Sequence, residues 1–328
     1  METILIIGGT GAQGIPVIKA LTSDRKYAVR VITRSAATLE AQLLAKLHGV
    51  TIVEGDCYDE STLRNILPGV DRVFANTNGL VIGEIAEVYW GIRLYELARE
   101  FGVKHFVYAS LPYASKIGNF NDKYRVGHCD SKARIAEYIS AQPTSPMAWS
   151  IIRSCLYIES LTEFLLPAYE PSDDVHVFAL PLGQGRIPMI TLDDNAAYVR
   201  WTIDNLPESN GLDLNVVTDS ITGNDLAAAF SKVTGKKSVY RDVSLDEYFR
   251  LPIFPDPDAK LGPSGVLTVR KNFSGLWNSW KDDLWKWDHQ VLDRVLPTRI
   301  KSTEEWMVKT GYTGKAVPLL KDFKFVEK

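Results

Sequence analysis

The sequence predicts an α/β protein with a doubly wound parallel sheet, followed by a smaller C-terminal α+β domain. An apolar run, Ile4-Leu5-Ile6-Ile7, stops at clustered glycines, as a buried strand does when it enters a tight turn. Strand-like and helix-like segments then alternate up to residue 155, which is typical of a parallel sheet with helices on both faces. Beyond residue 155 the alternation ends, and a length of 328 residues leaves room for a second, smaller domain.

Six strands are predicted in the first half, each an apolar run bounded by turn residues. They are residues 4–7, 29–32, 51–53, 72–75, 105–109 and 149–152. Five helices are predicted between them, because apolar residues recur there at helical spacing. They are residues 15–21, 37–47, 61–66, 88–100 and 131–139. Ligands of such sheets bind at the carboxyl ends of the strands, so the residues that follow each strand are candidates for a functional site.

The second half, residues 156–328, is predicted to be a substrate-binding or cap domain, with some later segments returning to the first domain (1–155). A strand is expected at 212–217, a helix at 224–234 and a long loop at 252–263. Pro167, Pro171, Pro181 and Pro188 are expected to lie in loops. Four tryptophans occur among charged residues in the segment 273–293. Aromatic residues line many apolar ligand sites, although most of those in this half are expected to be core.

Composition narrows the class of protein. A hydrophobic content of 45% and a charged content of 23% are typical of soluble globular proteins, and a net charge of −3 without basic runs gives no electrostatic basis for binding nucleic acid or an anionic membrane. The three cysteines have no metal-binding spacing, so we expect reduced thiols and no metal. No basic N-terminal segment of a signal peptide is visible, and a cytoplasmic location is expected. A homodimer is the base-rate expectation for oligomeric state.

The glycine cluster predicts a dinucleotide site. Its residues are Gly8, Gly9, Thr10, Gly11, Ala12, Gln13 and Gly14, with glycines spaced as G-x-x-G-x-x-G. A strand, a glycine turn and a helix start together make a pyrophosphate site, because glycines let the backbone approach the ligand and free N–H groups at the helix start face its charge. A purely structural turn is the alternative. We therefore expect a Rossmann-type domain in which Gly8 and residues 10–14 contact the cofactor.

The residues after the next strands indicate NADP(H). Arg34 follows the second strand, where NAD-binding proteins have an acidic residue, and its guanidinium is suited to a 2′-phosphate. Asp56 and Cys57 follow the third strand, and Asp56 is expected either to accept the adenine amino group or to cap the next helix. Further cofactor contacts are expected from small polar side chains after the fourth and fifth strands, although an Asn-Gly turn explains part of this pattern equally well. These are Asn76, Thr77, Asn78 and Ser110.

A candidate catalytic pair lies at the start of the fifth predicted helix. A reductase needs a proton donor near the group that receives hydride, and a Tyr-x-x-x-Lys helix supplies one because residues four apart share a face. Here His128 occupies the tyrosine position and Lys132 follows four residues later. Lys132 is expected to contact the ribose or relay a proton, and His128 either transfers protons or makes a structural contact. Tyr157, Tyr113 and Tyr124 are alternative donors near predicted strand ends, and Cys129 and Cys155 are expected to be packing thiols.

The glycine turn, Arg34, Gly55-Asp56 and His128-x-x-x-Lys132 together resemble the NmrA-like branch of the atypical short-chain dehydrogenase/reductases. The segments Ile151-Ile152-Arg153 and 305–312 are also similar to fungal members, so the resemblance covers nearly the whole chain. It implies a Rossmann domain, a cleft between two domains and a preference for NADP(H). The family includes reductases of carbonyls, imines and enol ethers, and also non-enzymatic proteins that sense cofactor redox state. Relatives of isoflavone reductase use an acid–base lysine, which Lys132 matches.

Two functions follow as expectations. The first is an NADPH-dependent oxidoreductase that reduces a C=O, C=N or activated C=C bond in a bulky apolar small molecule. The second is a non-enzymatic NADP(H) redox sensor that regulates a protein partner such as a transcription factor, and the histidine in place of the family tyrosine is consistent with it. The retained lysine and the long C-terminal half, which has room for a closed pocket, favour the reductase.

Overall fold

The computed structural model describes residues 1–319; the last nine residues of the predicted second domain lie outside the described range. Thirteen strands are present in that range. They are β1 (Glu2–Ile7), β2 (Tyr27–Thr33), β3 (Val50–Glu54), β4 (Arg72–Ala75), β5 (His105–Ser110), β6 (Ala148–Arg153), β7 (Leu156–Tyr157), β8 (Ala168–Glu170), β9 (Val175–Leu180), β10 (Ile187–Ile190), β11 (Leu212–Asn215), β12 (Asp219–Ile221) and β13 (Ser238–Asp242).

The α-helices of the described range vary from one turn to almost five. They are α1 (Gly14–Thr22), α2 (Leu39–Ala45), α3 (Glu60–Ile66), α4 (Gly79–Ile82), α5 (Glu84–Glu100), α6 (Ala114–Ile117), α7 (Gly127–Ser140), α8 (Leu192–Asp204), α9 (Leu206–Ser209), α10 (Gly223–Thr234), α11 (Leu245–Tyr248), α12 (Val269–Lys281), α13 (His289–Val295) and α14 (Thr303–Thr310). Short 3₁₀ helices are present at Asp122–Tyr124 and Ile158–Thr162.

Seven strands form one parallel sheet in the order β11-β6-β5-β4-β1-β2-β3. Apolar side chains on both faces of β1 and β5 are buried, which explains why these strands are continuous apolar runs in the sequence. Helices cover both faces, and the strand order reverses between β1 and β4. The predicted doubly wound parallel sheet is confirmed, and all six predicted strands and five predicted helices are present.

The second half of the chain contributes to this sheet. Strand β11 pairs in parallel with β6, with Leu212 opposite Ser150. Helix α8 packs along α1, and its Asp204 accepts hydrogen bonds from Lys26 Nζ at 2.7 Å and Tyr27 Oη at 2.6 Å. The edge of the sheet beyond β6 is therefore built from residues that follow the predicted domain boundary at 155.

Two three-stranded sheets, β12-β10-β7 and β13-β9-β8, form the smaller α+β part. The prediction that Pro188 lies in a loop is wrong, because it occupies the second position of β10. Strand β7 pairs with Met189 and Ile190 of β10 but does not reach Pro188. At Pro188, β10 is therefore paired with β12 on one side only. A proline, which lacks a backbone N–H, is tolerated at such a position.

Helix α12 covers the first part of the tryptophan-containing segment 273–293. Thr268 caps its start by accepting the backbone N–H of Lys271. Polar contacts attach both ends of the helix to the loop before α7: Lys271 Nζ lies 2.5 Å from Asp122 Oδ2, and Asn278 Nδ2 donates to the carbonyl of Lys123 at 3.1 Å. Helix α12 thereby links the second half of the chain to the loop before α7.

Candidate functional site

A cavity of about 610 Å³ lies at the carboxyl ends of the parallel strands, and α12 forms part of its wall. Side chains that follow β1, β2, β3, β4, β5 and β6 all line it. The cavity thus occupies the place where sheets of this topology bind ligands. Among the residues predicted to contact a cofactor, all except Gly14 line it. They are Gly8, Thr10, Gly11, Ala12, Gln13, Arg34, Asp56, Cys57, Asn76, Thr77, Asn78, Ser110 and Lys132.

The glycine turn after β1 has the geometry that a pyrophosphate site requires. Gly8 has a φ of +75°, and a Cβ atom built there would lie 2.6 Å from the Asn76 carbonyl oxygen. Gly14 lies behind the turn, where a Cβ would lie 2.3 Å from the Gly8 carbonyl oxygen, so it serves the packing of α1 against the turn. No side chain caps the start of α1. Within the helix, the Ile15 N–H donates to the Gly11 carbonyl at 3.1 Å and Pro16 has no N–H, so the backbone that faces the cavity rim is that of the preceding turn, residues 10–13.

One end of the cavity is polar and lies beyond β2 and β3. Arg34 lines this end together with Ser35 and Thr38, two hydroxyl-bearing residues that the sequence analysis did not select. Asp56 Oδ1 accepts the backbone N–H of Tyr58 at 2.9 Å. The alternative that Asp56 caps the following helix is wrong, because Asp59 caps α3 by accepting the N–H of Thr62.

Lys132 lies where β4 and β5 end. Its Nζ donates to the Thr77 carbonyl at 2.6 Å and to Asn76 Oδ1 and Thr77 Oγ1 at 3.2 Å, and it forms an ion pair at 3.2 Å with Glu87. The lysine predicted from the H-x-x-x-K spacing is thus brought together with two of the predicted polar residues. The ammonium group is held by protein acceptors on several sides.

Glu87, on α5, is the partner that the sequence analysis missed. Its carboxylate is fully buried and accepts hydrogen bonds from Thr77 Oγ1 at 2.7 Å, the Gly79 N–H at 3.0 Å and the Ser131 hydroxyl. A Cβ on Gly79 would lie 2.0 Å from Glu87 Oε2, so only glycine lets the carboxylate approach. In the sequence, the only signal near this contact is the Asn78-Gly79 pair, which was interpreted as a turn and not as a close approach of another side chain.

His128 lines the cavity but is also bonded to α12. Its Nδ1 lies 2.9 Å from Nδ2 of the fully buried Asn272, and its Nε2 lies 3.6 Å from Cys129 Sγ. Burial lowers the pKa of His128 below its ordinary value, so the imidazole is neutral at pH 7. Ser110, another predicted contact, donates its hydroxyl to the Lys132 carbonyl at 3.1 Å.

The predicted alternative tyrosines differ in position. Tyr157 lines the cavity and donates its hydroxyl to Gln13 Oε1 at 3.1 Å, and burial raises the pKa of this phenol. Tyr113 accepts a hydrogen bond from Arg134, Tyr124 donates to Asp282, and neither lines the cavity. Burial also raises the pKa of the Cys129 and Cys155 thiols, as it does for packing cysteines.

The other end of the cavity is bounded by an aromatic wall. We use this name for Tyr248, Phe254, Phe273, Trp277, Trp280 and Trp285. Successive rings are in contact: Phe273 to Phe254 at 6.4 Å, Phe254 to Tyr248 at 5.1 Å, Tyr248 to Trp277 at 5.2 Å, Trp277 to Trp280 at 5.2 Å and Trp280 to Trp285 at 6.0 Å between centroids. These aromatics therefore both pack together, as core residues do, and line a cavity.

Within residues 1–319, no cluster of three or more histidine, cysteine or carboxylate side chains is arranged to hold a metal ion. No helix of this range combines the length and apolar character that crossing a bilayer requires.

Comparison with known proteins gives both sequence and structural likenesses. Residues 1–261 match the model of the NmrA-like family. The NmrA-like family domain-containing oxidoreductase himF of Aspergillus japonicus is 29% identical over 253 residues, which cover 73% of this chain and 75% of that relative. NmrA, a negative transcriptional regulator solved in complex with NAD, has a TM-score of 0.74 at 16% identity, with 94% of this chain and 94% of that one covered. An NADPH-dependent quinone oxidoreductase from Escherichia coli has a TM-score of 0.71 at 21% identity, with 94% of this chain and 99% of that one covered.

Proposed function

The chain belongs to the NmrA-like family, and we propose that it is an NADPH-dependent reductase of a bulky, apolar, unsaturated small molecule. One observation carries the proposal: a single cavity runs from the glycine turn past Lys132 to the aromatic wall. A cofactor site that continues into a large apolar space has room for a second ligand beside the first. Among the relatives, himF is named an oxidoreductase, and the quinone oxidoreductase of the same fold is NADPH-dependent.

The residues present fit a nicotinamide dinucleotide. The turn of residues 10–13, which lines the cavity directly before α1, and the positive φ of Gly8 suit the pyrophosphate. Arg34, Ser35 and Thr38 offer a guanidinium and two hydroxyls to the 2′-phosphate of NADP(H), and the residues directly after β2 include no Asp or Glu; the nearby Glu54 carboxylate, at the end of β3, accepts the Ala36 N–H at 2.9 Å. When bound, the reduced nicotinamide supplies the hydride.

The chain's own residues position the reactants. Lys132, held by Thr77, Asn76 and Glu87, keeps a fixed positive charge at the ends of β4 and β5 and orients the ribose. The aromatic wall excludes water and offers flat apolar surface to the substrate. His128 is proposed as a positioning residue, because its imidazole is neutral and bonded to Asn272.

The test is NADPH oxidation, followed at 340 nm, with a panel of aromatic carbonyls, imines and quinones. We expect turnover with at least one class of acceptor. Lys132→Met should lower kcat by about 100-fold while the NADPH dissociation constant changes by less than about tenfold, since it removes a group that orients the reactants. Lys19→Met, on α1 and remote from the cavity, is the matched control.

The alternative is a redox sensor of the kind represented by NmrA, whose solved structure shares this fold. A sensor would bind NADP+ and NADPH with different affinities and oxidise no NADPH with any acceptor of the panel. That combination of results would replace the reductase proposal.

A further inference from the structure

His128 lies in the cavity between Lys132 and the aromatic wall. It precedes Lys132 by one turn of α7, and its ring centroid is 5.8 Å from that of Phe273, a member of the wall. The side chain is half-buried and lines the cavity. A substrate that reaches from the cofactor to the wall passes this ring. Provided that the proposed reductase function holds, His128 is therefore placed to contact the group that accepts hydride.

The side-chain amide of Asn272, on α12, has a defined orientation beside this ring. Its Oδ1 lies 3.5 Å from the backbone nitrogen of His128, and its Nδ2 lies 2.9 Å from His128 Nδ1. The backbone N–H belongs to the first turn of α7, and the N-cap residue Val126 offers it no side-chain acceptor. With the amide turned over, Nδ2 and this N–H would face each other as two donors. Oδ1 is thus the atom that faces the backbone, and Nδ2 is the atom that faces the ring.

This orientation decides which ring nitrogen of His128 carries the proton. Nδ2 can only donate, so Nδ1 accepts, and the single proton of the neutral imidazole is on Nε2. Asn272 Oδ1 also lies 3.1 Å from Nδ1, but a proton on Nδ1 would meet the N–H of the nearer Nδ2. In the described part of the chain, Nε2 contacts Cys129 Sγ at 3.6 Å, and sulfur is a weak acceptor. The Nε2–H group therefore has no strong acceptor among the described residues, and a ligand of the cavity can supply one.

We propose that Asn272 is a positioning residue that holds His128 as the Nε2–H tautomer, and that this N–H donates a hydrogen bond to the hydride-accepting group of the substrate. A donor fixed in advance stabilises the negative charge that develops on that group in the transition state. Neutral imidazoles polarise carbonyl groups in this way. His128 keeps its proton, because losing it would leave an imidazolate. Its role thus differs from that of the acid–base tyrosine whose position it occupies.

The tautomer can be measured on the NADP+-loaded protein by ¹⁵N NMR of the ring nitrogens, with label in histidine only. The chain has five histidines, and the signals absent from His128→Phe identify those of His128. We expect a protonated Nε2 and an unprotonated Nδ1 at pH 7. Asn272→Asp at pH 9, whose carboxylate can only accept, should move the proton to Nδ1, whereas Asn224→Asp, exposed on α10, should not. A proton on Nδ1 of the unmodified protein, or one shared between the two nitrogens, overturns the inference whether or not the variants fold.

The hydrogen bond to the ligand can be measured with two probes of the same shape. 1-Tetralone carries a carbonyl oxygen, and 1-methylenetetralin has a CH₂ group in its place. The affinity for the ketone relative to the alkene, from calorimetric titration of the NADP+-loaded protein, should fall by about three- to tenfold in His128→Phe, which is the worth of one neutral hydrogen bond. His48→Phe, an exposed substitution, should leave this ratio unchanged. An unchanged ratio in His128→Phe overturns the inference.

Turnover separates this inference from the proposed function, because neither the tautomer nor the affinity ratio requires it. The expected tautomer and ratio, without NADPH oxidation by any acceptor, would overturn the reductase function and leave the hydrogen bond in place. Where an acceptor is reduced, His128→Phe should lower kcat by roughly 100-fold, as the removal of a preorganised donor does. An acceptor whose kcat is the same in His128→Phe would overturn the inference and leave the reductase function in place.

Discussion

Arg34 lies at the rim of the cavity directly after β2, beside Ser35 and Thr38. A guanidinium there interacts with a 2′-phosphate but gains little from a ribose hydroxyl. We expect Arg34→Ala to weaken NADPH binding by roughly 10- to 100-fold and NADH binding by less than about threefold, which corresponds to the loss of one charge-assisted contact. Calorimetric titration with each dinucleotide measures the two changes.

Arg250→Ala is the matched control for this prediction, because Arg250 is exposed and does not line the cavity. Its dinucleotide affinities should equal those of the unmodified protein. Equal losses for NADPH and NADH in Arg34→Ala would show that the side chain does not read the 2′-phosphate.

Glu159 gives the pH dependence of stability a specific source. Burial raises the pKa of its carboxyl group from 4.5 to about 7, and its Oε1 accepts the N–H of Leu192 while Oε2 has no hydrogen-bond partner. Between these two pH values the folded protein binds a proton that the unfolded chain has released. The free energy of unfolding therefore falls as pH rises through this window, by up to about 3 kcal/mol for this group.

We expect Glu159→Gln to keep the bond to Leu192 and to remove this contribution. Its free energy of unfolding, measured by urea denaturation, should exceed that of the unmodified protein at pH 8 and match it near pH 4.5. Glu208→Gln, an exposed substitution, should leave the pH profile unchanged. A profile for Glu159→Gln that falls as steeply as the original would assign the effect to other groups.

At the scale of elements, α7 and α12 are joined through the partly buried His128 and the fully buried Asn272. Asn272→Ala leaves the imidazole without its partner, and an unsatisfied buried polar group costs about 1–3 kcal/mol. We expect the free energy of unfolding to fall by that amount, and amide exchange to accelerate at the start of α7 and along α12. The control is Ser274→Ala, two residues further along the same helix. Unchanged exchange in α12 would show that the bond does not hold the helix in place.

The elements of the first half could be predicted because their signals are local. Buried parallel strands such as β1 and β5 are continuous apolar runs, and the glycines after β1 mark the turn directly. In the second half the strand β11 and the helix α10 were predicted, but β7, β8 and β12 were not, because they have two or three residues each and exist only through pairing with distant strands. Helix α12 was not predicted, because the tryptophans of the segment 273–293 lie among charged residues, a pattern that is also typical of an exposed segment.

The candidate site, too, could be predicted only in part. The glycine turn and the residues at the strand ends could be predicted, because the topology of a parallel sheet brings the ends of its strands together. Glu87 was not, because a carboxylate on a helix is ordinary and its burial depends on the close approach of Gly79, Thr77 and Ser131. The aromatic wall likewise depends on how α11 and α12 pack over the sheet, which no local spacing encodes.

At the scale of the whole molecule, the two halves complete one sheet. Strand β11 covers the edge of β6, α8 packs on α1, and Ser150 on β6 donates its hydroxyl to the Ser209 carbonyl at 2.6 Å. A chain that ends at residue 155 would expose the β6 edge and lose the cover of α1.

We expect such a chain to lack a cooperative thermal transition and a near-ultraviolet circular dichroism signal, because unpaired sheet edges and uncovered apolar helix faces destabilise the isolated domain. The full chain, in contrast, should melt cooperatively and be stabilised by about 2.7 kcal/mol when NADPH is present at 100 times its dissociation constant. A chain of 155 residues that melts cooperatively and is stabilised by NADPH would show that the first domain folds and binds without the second.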